Sequence, residues 1–358
     1  MLPVEFVLFI RDYTIFFAIY LMVALSLNLE YGYGGVPNFG KVLAVAGGAY
    51  TVGFLPGRLI AWLFGIGQDL EYVKDNMAIV GEVSRVLAGD PVLSLTLLFT
   101  TLGVAAMVGA VLGFVASYPA IRLREDYLSI TLLVMGEAIQ VIGYNYTPII
   151  GGTLGISVPD PFGWAGELRY MSVALFVSGI CLALLLYLER FVRTPLGRML
   201  RAIRDNEEAA EALGKDATRT RMKVIVMASA IGAVAGALDA FKMGGVISMS
   251  YHRVSWTFWP WVIVILGGAA NNMGTVCGTF AFVTFRRLLD YFKENLAPYV
   301  PFSVVWLDYL MLGLMLILVQ MYRPGGLIPE KYSPTLDRKK LEEIAESTGS
   351  DSSSESTG

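Results

Sequence analysis

The chain has 358 residues, 55% of them hydrophobic and 16% charged, and a mean hydropathy of +0.60. Repeated long apolar runs in that composition exclude an ordinary soluble enzyme and indicate an all-α polytopic integral membrane protein. The net charge of −3 is too small to argue for nucleic acid, and the basic residues gather in loops beside the apolar runs.

In chain order, residues 14–30 form a first span. The Gly-rich stretch 32–55 carries a second, which Pro56-Gly57-Arg58 should end. Residues 65–90 mix Asp69, Glu71, Asp75, Glu82 and Asp90 with apolar positions and read as a surface loop. Further spans are expected at 92–118, 127–144, 170–189, 222–247 and 303–322, about seven full crossings in all. Residues 257–290 read as two apolar pieces broken at Gly267-Gly268 and Asn271-Asn272. The first piece is too short to cross comfortably, so a re-entrant hairpin or broken helix is expected there. Residues 1–330 are read as one transmembrane domain. Residues 331–358, polar, Ser-rich and acidic, are read as a disordered cytoplasmic tail. No basic region precedes the first apolar run, so no cleavable signal peptide is expected.

Residues 190–223 are the one long charged stretch between apolar runs. Thr194-Pro195 reads as an N-cap and first helical position. Leu196, Leu200 and Ile203 then share a helical face. Asp205 with Glu208 suggests a capping box for a second, short helix. Ala209, Ala210, Ala212 and Leu213 give that helix a small apolar surface, and Gly214 suits its C-terminus. Thr218 should open the next span. A short helix with a small-residue face at a membrane surface is suited to being gripped by another protein.

Lys and Arg placement orients the chain. With this charged stretch, loop 119–126 and the C-terminal tail inside, the inner loops hold more Lys and Arg than the outer ones. The acidic loop 65–90 then lies outside. Arg286, Arg287 and Lys293 count against this topology.

Gly35-Val-Pro-Asn-Phe-Gly40-Lys41-Val42 nearly matches a phosphate-binding loop. It lacks the final Ser or Thr and lies between apolar spans, so no ATPase of the chain's own follows. The lone histidine, His252, excludes most histidine-based chemistry, and Cys181 and Cys277, both inside apolar runs, suggest neither a disulfide framework nor a metal site. Ionisable groups near spans are more telling. Asp239 and Lys242, three apart, should pair with each other, and Asp308 should lie near an interface. Glu137 has no basic partner one turn away and is a candidate for a polar pathway. Arg58 reads as an interface residue. The cluster Trp256, Phe258, Trp259 and Trp261 reads as a headgroup-level aromatic belt, and Gly151-Gly152-Thr153-Leu154-Gly155 as an outer loop or turn cluster. Small-xxx-small pairs Gly109/Gly113, Gly232/Gly236 and Gly274/Gly278 are read as helix packing.

Several stretches resemble one family. LNLEYGYGGVPNFGKVLAVAGGAYT is similar to its early Gly-rich segment, and AIRLREDYLSITLLVMGEAIQVI to its Leu-Arg-Leu-Arg motif and following helix. GGTLGI is similar to its outer loop and TPLGRMLRAIRDNEEAAEALG to its cytoplasmic coupling segment. VILGGAANNMGTVCGTF and RPGGLIP match its broken segment and end motif. Over most of residues 20–330 the sequence resembles the LivM-type permease subunit of branched-chain amino-acid ABC importers. It departs in having Lys41 where His is frequent, a polar Asn271-Asn272-Met273 turn and a long loop 65–90.

The resemblance implies a plasma-membrane transport subunit with no covalent chemistry and no cofactor. Its partners would be a homologous second permease, two cytoplasmic ABC ATPases, an extracellular or periplasmic binding protein and membrane lipid, with no nucleic acid. The residues expected to contact the ATPases are Arg201, Arg204, Glu207, Glu208, Ala209, Ala210, Leu213 and Gly214. Those expected along the translocation pathway are Glu137, Gly47, Gly48, Gly267, Gly268 and Asn271. The family is similar to urea and short-amide permeases, which share these motifs. An ion-coupled secondary transporter built around Glu137 is a separate alternative, and it would not need the cytoplasmic helix pair. An intramembrane enzyme is poorly supported, because no metal-ligand spacing or nucleophile–base pair is visible.

Overall fold

The computed structural model describes residues 4–120, 123, 125–296 and 305–330. The tail 331–358 and the side chain of Asp308 lie outside the described residues. The apolar runs become helices because nothing in them breaks the backbone ladder and lipid offers it no other hydrogen-bond partners. They are α1 (Val4–Leu27), α2 (Lys41–Phe64), α3 (Asn76–Gly89), α4 (Pro91–Ala120), α5 (Glu125–Asn145), α6 (Thr147–Ile150) and α7 (Arg169–Phe191). After these come α8 (Pro195–Asp205), α9 (Glu207–Ala212), α10 (Ala217–Met243), α11 (Trp259–Gly267), α12 (Asn272–Leu296) and α13 (Val305–Tyr322). By length and composition six helices among the described residues suit a membrane crossing. The segments Ser248–Gly267 and Asn272–Phe292 form one further pair, bent by 117°. This is the all-α polytopic architecture expected, with the break where the glycines and asparagines placed it.

Three boundaries differ from expectation. α1 does not stop near residue 30; it continues as a π-helical turn, Asn28–Tyr33, that buries Glu30. α2 runs through Pro56 to Phe64. Proline removes a backbone donor, and the Arg58 guanidinium supports that turn by donating to Phe54 O at 2.9 Å and Gly53 O at 3.4 Å. Its Nη2 also reaches Pro148 O on α6 at 2.8 Å, so Arg58 ties two elements together. Finally, loop 65–90 contains α3. Ile79, Val83 and Leu87 recur every four residues and bury one face of it. The acidic residues between them had masked that period.

α2, α4 and α10 form the centre of the molecule. Their backbones touch because the contact positions lack side chains. A Cβ at Gly48 would strike the Ala233 carbonyl, and one at Gly236 the Val45 carbonyl. Gly109 and Gly113 of α4 meet α10 in the same way, at Ser229 and Ala233. Around this centre α5 and α7 expose Ile130, Val134, Val141, Leu175, Leu182 and Leu186. In water such a face would aggregate; in a bilayer it is the lipid surface. At the end of α10 a short antiparallel pair, β1 (Ile156–Ser157) with β2 (Gly245–Val246), holds the Gly151–Gly155 turn cluster against the bundle. Gly155 lies directly on the Val246 carbonyl, so the cluster is a fixed turn.

Candidate functional site

Two regions carry polar chemistry that a membrane bundle would otherwise avoid: the charged segment α8–α9 and the break between α11 and α12. They are joined to each other.

In α8 the Thr194 Oγ accepts from Gly197 N at 3.4 Å and Pro195 takes the first helical position, as the sequence indicates. The second cap differs. Asn206, in extended conformation, caps α9 by accepting from Ala209 N at 2.9 Å. Asp205 remains the last residue of α8 and binds Arg204 instead. Gly214 adopts φ 75°, which a side chain would strain. Asp216, two residues ahead of the expected Thr218, caps α10 by accepting from Arg219 N at 2.9 Å.

The eight residues expected at an ATPase contact divide into two sets. Glu208, Ala209, Leu213 and Gly214 are exposed, and Leu213 is 78% so, an unusual state for leucine. The other four brace the segment from within. Ala210 is buried against Ile203 and Ala217, so its small size serves internal packing. Glu207 pairs with Arg221 at 2.8 Å. Arg201 donates to Val192 O at 2.9 Å. Arg204 donates to Gly32 O, in the π-turn at the end of α1, at 2.6 Å and pairs with Glu330 at 2.9 Å. Burial alone would lower the Arg204 pKa; its bonds to Asp205 and Glu330 outweigh that and raise it.

Glu330 ends segment 323–330, which follows α13 and clamps the break. Leu327 N donates to Leu266 O at 2.8 Å and Ile328 N to Gly267 O at 3.0 Å. Gly268 has φ 108°, and a Cβ there would strike the Ile328 carbonyl. A Cβ at Gly267 would strike the Gly274 carbonyl. Asn271 caps α12, accepting from Met273 N and Gly274 N at 3.0 and 3.1 Å, while its Nδ2 reaches Pro329 O at 3.1 Å. Ala270, at φ 59°, is held in a left-handed conformation by its N–H to Asn28 Oδ1 at 2.9 Å. Asn28 Nδ2 continues to Asn272 Oδ1 at 3.2 Å, and Asn272 Nδ2 to Glu189 at 3.1 Å. The break is therefore a fixed junction between α1, α7, α8 and the end motif.

The remaining expected pathway residues lie elsewhere. Gly47 and Gly48 are buried in the α2–α4–α10 centre, where side chains would strike Leu112 and Ala233, so both serve helix packing. Glu137, which has no basic residue one turn away on its own helix, faces Arg253 from the loop before α11 at 3.4 Å. Asp239 and Lys242 do not form the expected ion pair among the described residues. Asp239 accepts from the Tyr251 hydroxyl at 3.3 Å, and Lys242 lies 5.6 Å over the Phe16 ring.

Sequence reasoning missed the most buried polar cluster. Glu30 and Lys41 are both fully buried and pair at 3.1 Å. Asn38 donates to the other Glu30 oxygen at 3.0 Å, and Lys41 donates to Ala228 O on α10 at 3.1 Å. Trp261 Nε1 donates to Asn38 O at 3.0 Å, and Val42 N to Thr257 Oγ1 at 3.1 Å. The stretch that imitates a phosphate loop is thus a polar knot joining α1, α2, α10 and α11. An acid and a lysine eleven positions apart at the ends of two spans were the available signal.

Residues 9–320 match the family model described as "Branched-chain amino acid transport system / permease component". The chain is 39% identical over 333 residues to the probable branched-chain amino acid transport permease protein LivM of Methanocaldococcus jannaschii, covering 92% of this chain and 96% of that one. It is 28% identical over 336 residues to the high-affinity permease protein LivM of Salmonella typhimurium, covering 87% and 68% respectively. It is 26% identical over 263 residues to the probable permease LivH of M. jannaschii, covering 65% and 78%. No solved structure matches the chain. With six membrane-length helices among the described residues, a clamped break and a family match over most of its length, the chain belongs to the permease components of branched-chain amino acid transport systems.

Proposed function

We propose that the chain, over residues 1–330, is the permease domain through which branched-chain or other hydrophobic amino acids enter the cell, powered by separate ATPase subunits. The relatives it matches bear branched-chain amino acid transport names, which supports this cargo. Its partners are two cytoplasmic ABC ATPases, a homologous second permease and an external binding protein, and α8–α9 faces the cytoplasm. One observation carries the coupling role. The exposed face Glu208, Ala209, Leu213 and Gly214 sits on a segment whose opposite face is bonded into the bundle through Arg204. A push on that face moves Arg204 against both Gly32 and Glu330, and the clamp on Leu266 and Gly267 carries the displacement to the break. A rigid hydrogen-bonded chain transmits such a shift where a loose loop would absorb it.

Co-purification from native membranes with mass spectrometry tests the reading, followed by ATP-driven leucine uptake in proteoliposomes. Two ATPases and a second permease should accompany the chain. A chain that purifies alone and moves solute down an ion gradient would overturn it.

A further inference from the structure

At the end of α10 remote from the charged segment, α1, α10, the π-helical turn Val254–Phe258 and α12 enclose a cavity of about 360 Å³. Asp239 lies 22 residues beyond Ala217, the first residue of α10, about 33 Å along the helix at a rise of about 1.5 Å per residue. The cavity therefore lies in the half of the bundle away from the coupling segment, toward the side from which an importer receives cargo. Its size suits a small ligand, for which pockets of about 300–1,000 Å³ are usual.

Its chemistry has two ends. At one end is Asp239, a carboxylate only 7% exposed. Tyr251 donates to its Oδ2 at 3.3 Å, and its Oδ1 accepts no hydrogen bond from the described residues. The rings of Tyr20, Trp256 and Tyr251 stack in succession beside it, with centroids 5.4 and 5.8 Å apart. A buried acid against aromatic faces is suited to an ammonium group. At the other end are donors without acceptors. Arg286 makes no ion pair among the described residues, and its Nε and Nη1 are buried and unpartnered, as is the Nε1 of the 5%-exposed Trp259. The guanidinium lies 3.6 Å over the Trp259 ring. That stacking offsets part of the cation's desolvation but accepts none of its N–H bonds. Tyr20 lies between the ends, hydrogen-bonded to Arg286 and within electrostatic reach of Asp239.

We propose that this cavity binds a free α-amino acid as its zwitterion, the ammonium on Asp239 and its aromatic neighbours, the carboxylate on Arg286 and Trp259 Nε1. The assignment to cargo rests on the amino-acid import reading above. A lipid phosphate would satisfy Arg286, and Arg287 and Lys242 also flank Phe16, but Asp239 would repel it. A simple carboxylic acid would bring a second anion toward Asp239, which has Lys242 within electrostatic reach, and would offer the free Asp239 oxygen no ammonium donor.

Ser250 is exposed and lines the cavity mouth. The test introduces S250C with both native cysteines replaced, in the complete transport assembly in liposomes, and follows labelling by a thiol reagent. Leucine at about ten times its Kd should slow labelling about tenfold by mass action. Leucinamide, lacking the carboxylate, and 4-methylpentanoate, lacking the ammonium, should protect far less. Arg286→Gln or Asp239→Asn should abolish protection and depress leucine uptake while co-purification of the ATPases persists. Equal labelling with and without leucine, or protection by anionic lipid alone, would overturn the site. If leucine is imported normally by both variants, the site fails and the import reading stands. If no amino acid is imported yet leucine still protects, the cargo reading fails and the site stands.

Discussion

Arg204 and Lys41 show what a single charge can do in a bundle of this kind. Lys41 is fully buried, and so is its partner Glu30. Removing one member leaves the other charged and unpaired in a low-dielectric interior, a loss of about 3–5 kcal/mol. Lys41→Met should therefore lower the melting temperature in detergent sharply, while Glu30→Gln with Lys41→Met should recover most of it. A double variant no better than the single would argue that the Asn38 and Ala228 bonds, not the ion pair, hold the knot. Arg204 differs because its bonds join separate elements. Arg204→Ala should leave ATP hydrolysis by the assembly in place but cut leucine uptake about tenfold, an uncoupling equivalent to about 1.4 kcal/mol. Uptake and hydrolysis measured on the same liposomes separate that outcome from simple misfolding. Neither residue's role was visible in its immediate neighbours. In the sequence Asp205, next to Arg204, reads as a cap, and Lys41 as part of an incomplete phosphate loop.

The long helices formed where the apolar runs indicated, with caps shifted to Asn206 and Asp216, and their contacts followed from small residues. The Gly232/Gly236 and Gly109/Gly113 pairs fall at the α2–α10 and α4–α10 crossings. Gly236→Leu should separate α2 from α10, since even a Cβ would strike the Val45 carbonyl. Overpacking of this kind costs about 1–3 kcal/mol or more, readable as loss of monodisperse protein in size-exclusion chromatography. α9 makes the opposite prediction. Leu213 is exposed and touches little of the chain's own core, so Leu213→Asp should leave the melting temperature unchanged and reduce ATPase co-purification. A drop in stability without loss of the ATPases would assign Leu213 to the fold. α3 was hidden because its acidic residues dilute a four-residue apolar period. The continuation of α2 past Pro56 was hidden because its support comes from a side chain that also reaches α6.

Across the whole molecule, the charged segment α8–α9 lies at the start of α10 and the aromatic cavity at its end. Transport from one face to the other requires an orientation, and this has a direct test. In right-side-out vesicles an impermeant thiol reagent should label Gln68→Cys and not Glu211→Cys, both exposed positions; the reverse pattern would invert the topology. The sequence by itself determined the class of protein, most of the spans, the break and the charged helix pair α8–α9. Each of those depends on composition and short-range pattern: apolar length, proline and glycine placement, and charge between spans. Tertiary structure alone decided which charges meet. Glu30 with Lys41, Arg204 with Glu330, and Glu137 with Arg253 are pairings between different elements. It also left Asp239 within electrostatic reach of Lys242 but without a direct ion pair to it, and set the Tyr251 hydroxyl on the carboxylate. In a low-dielectric interior a charge takes the partner that packing delivers, and helix packing is set by contacts distant in the chain.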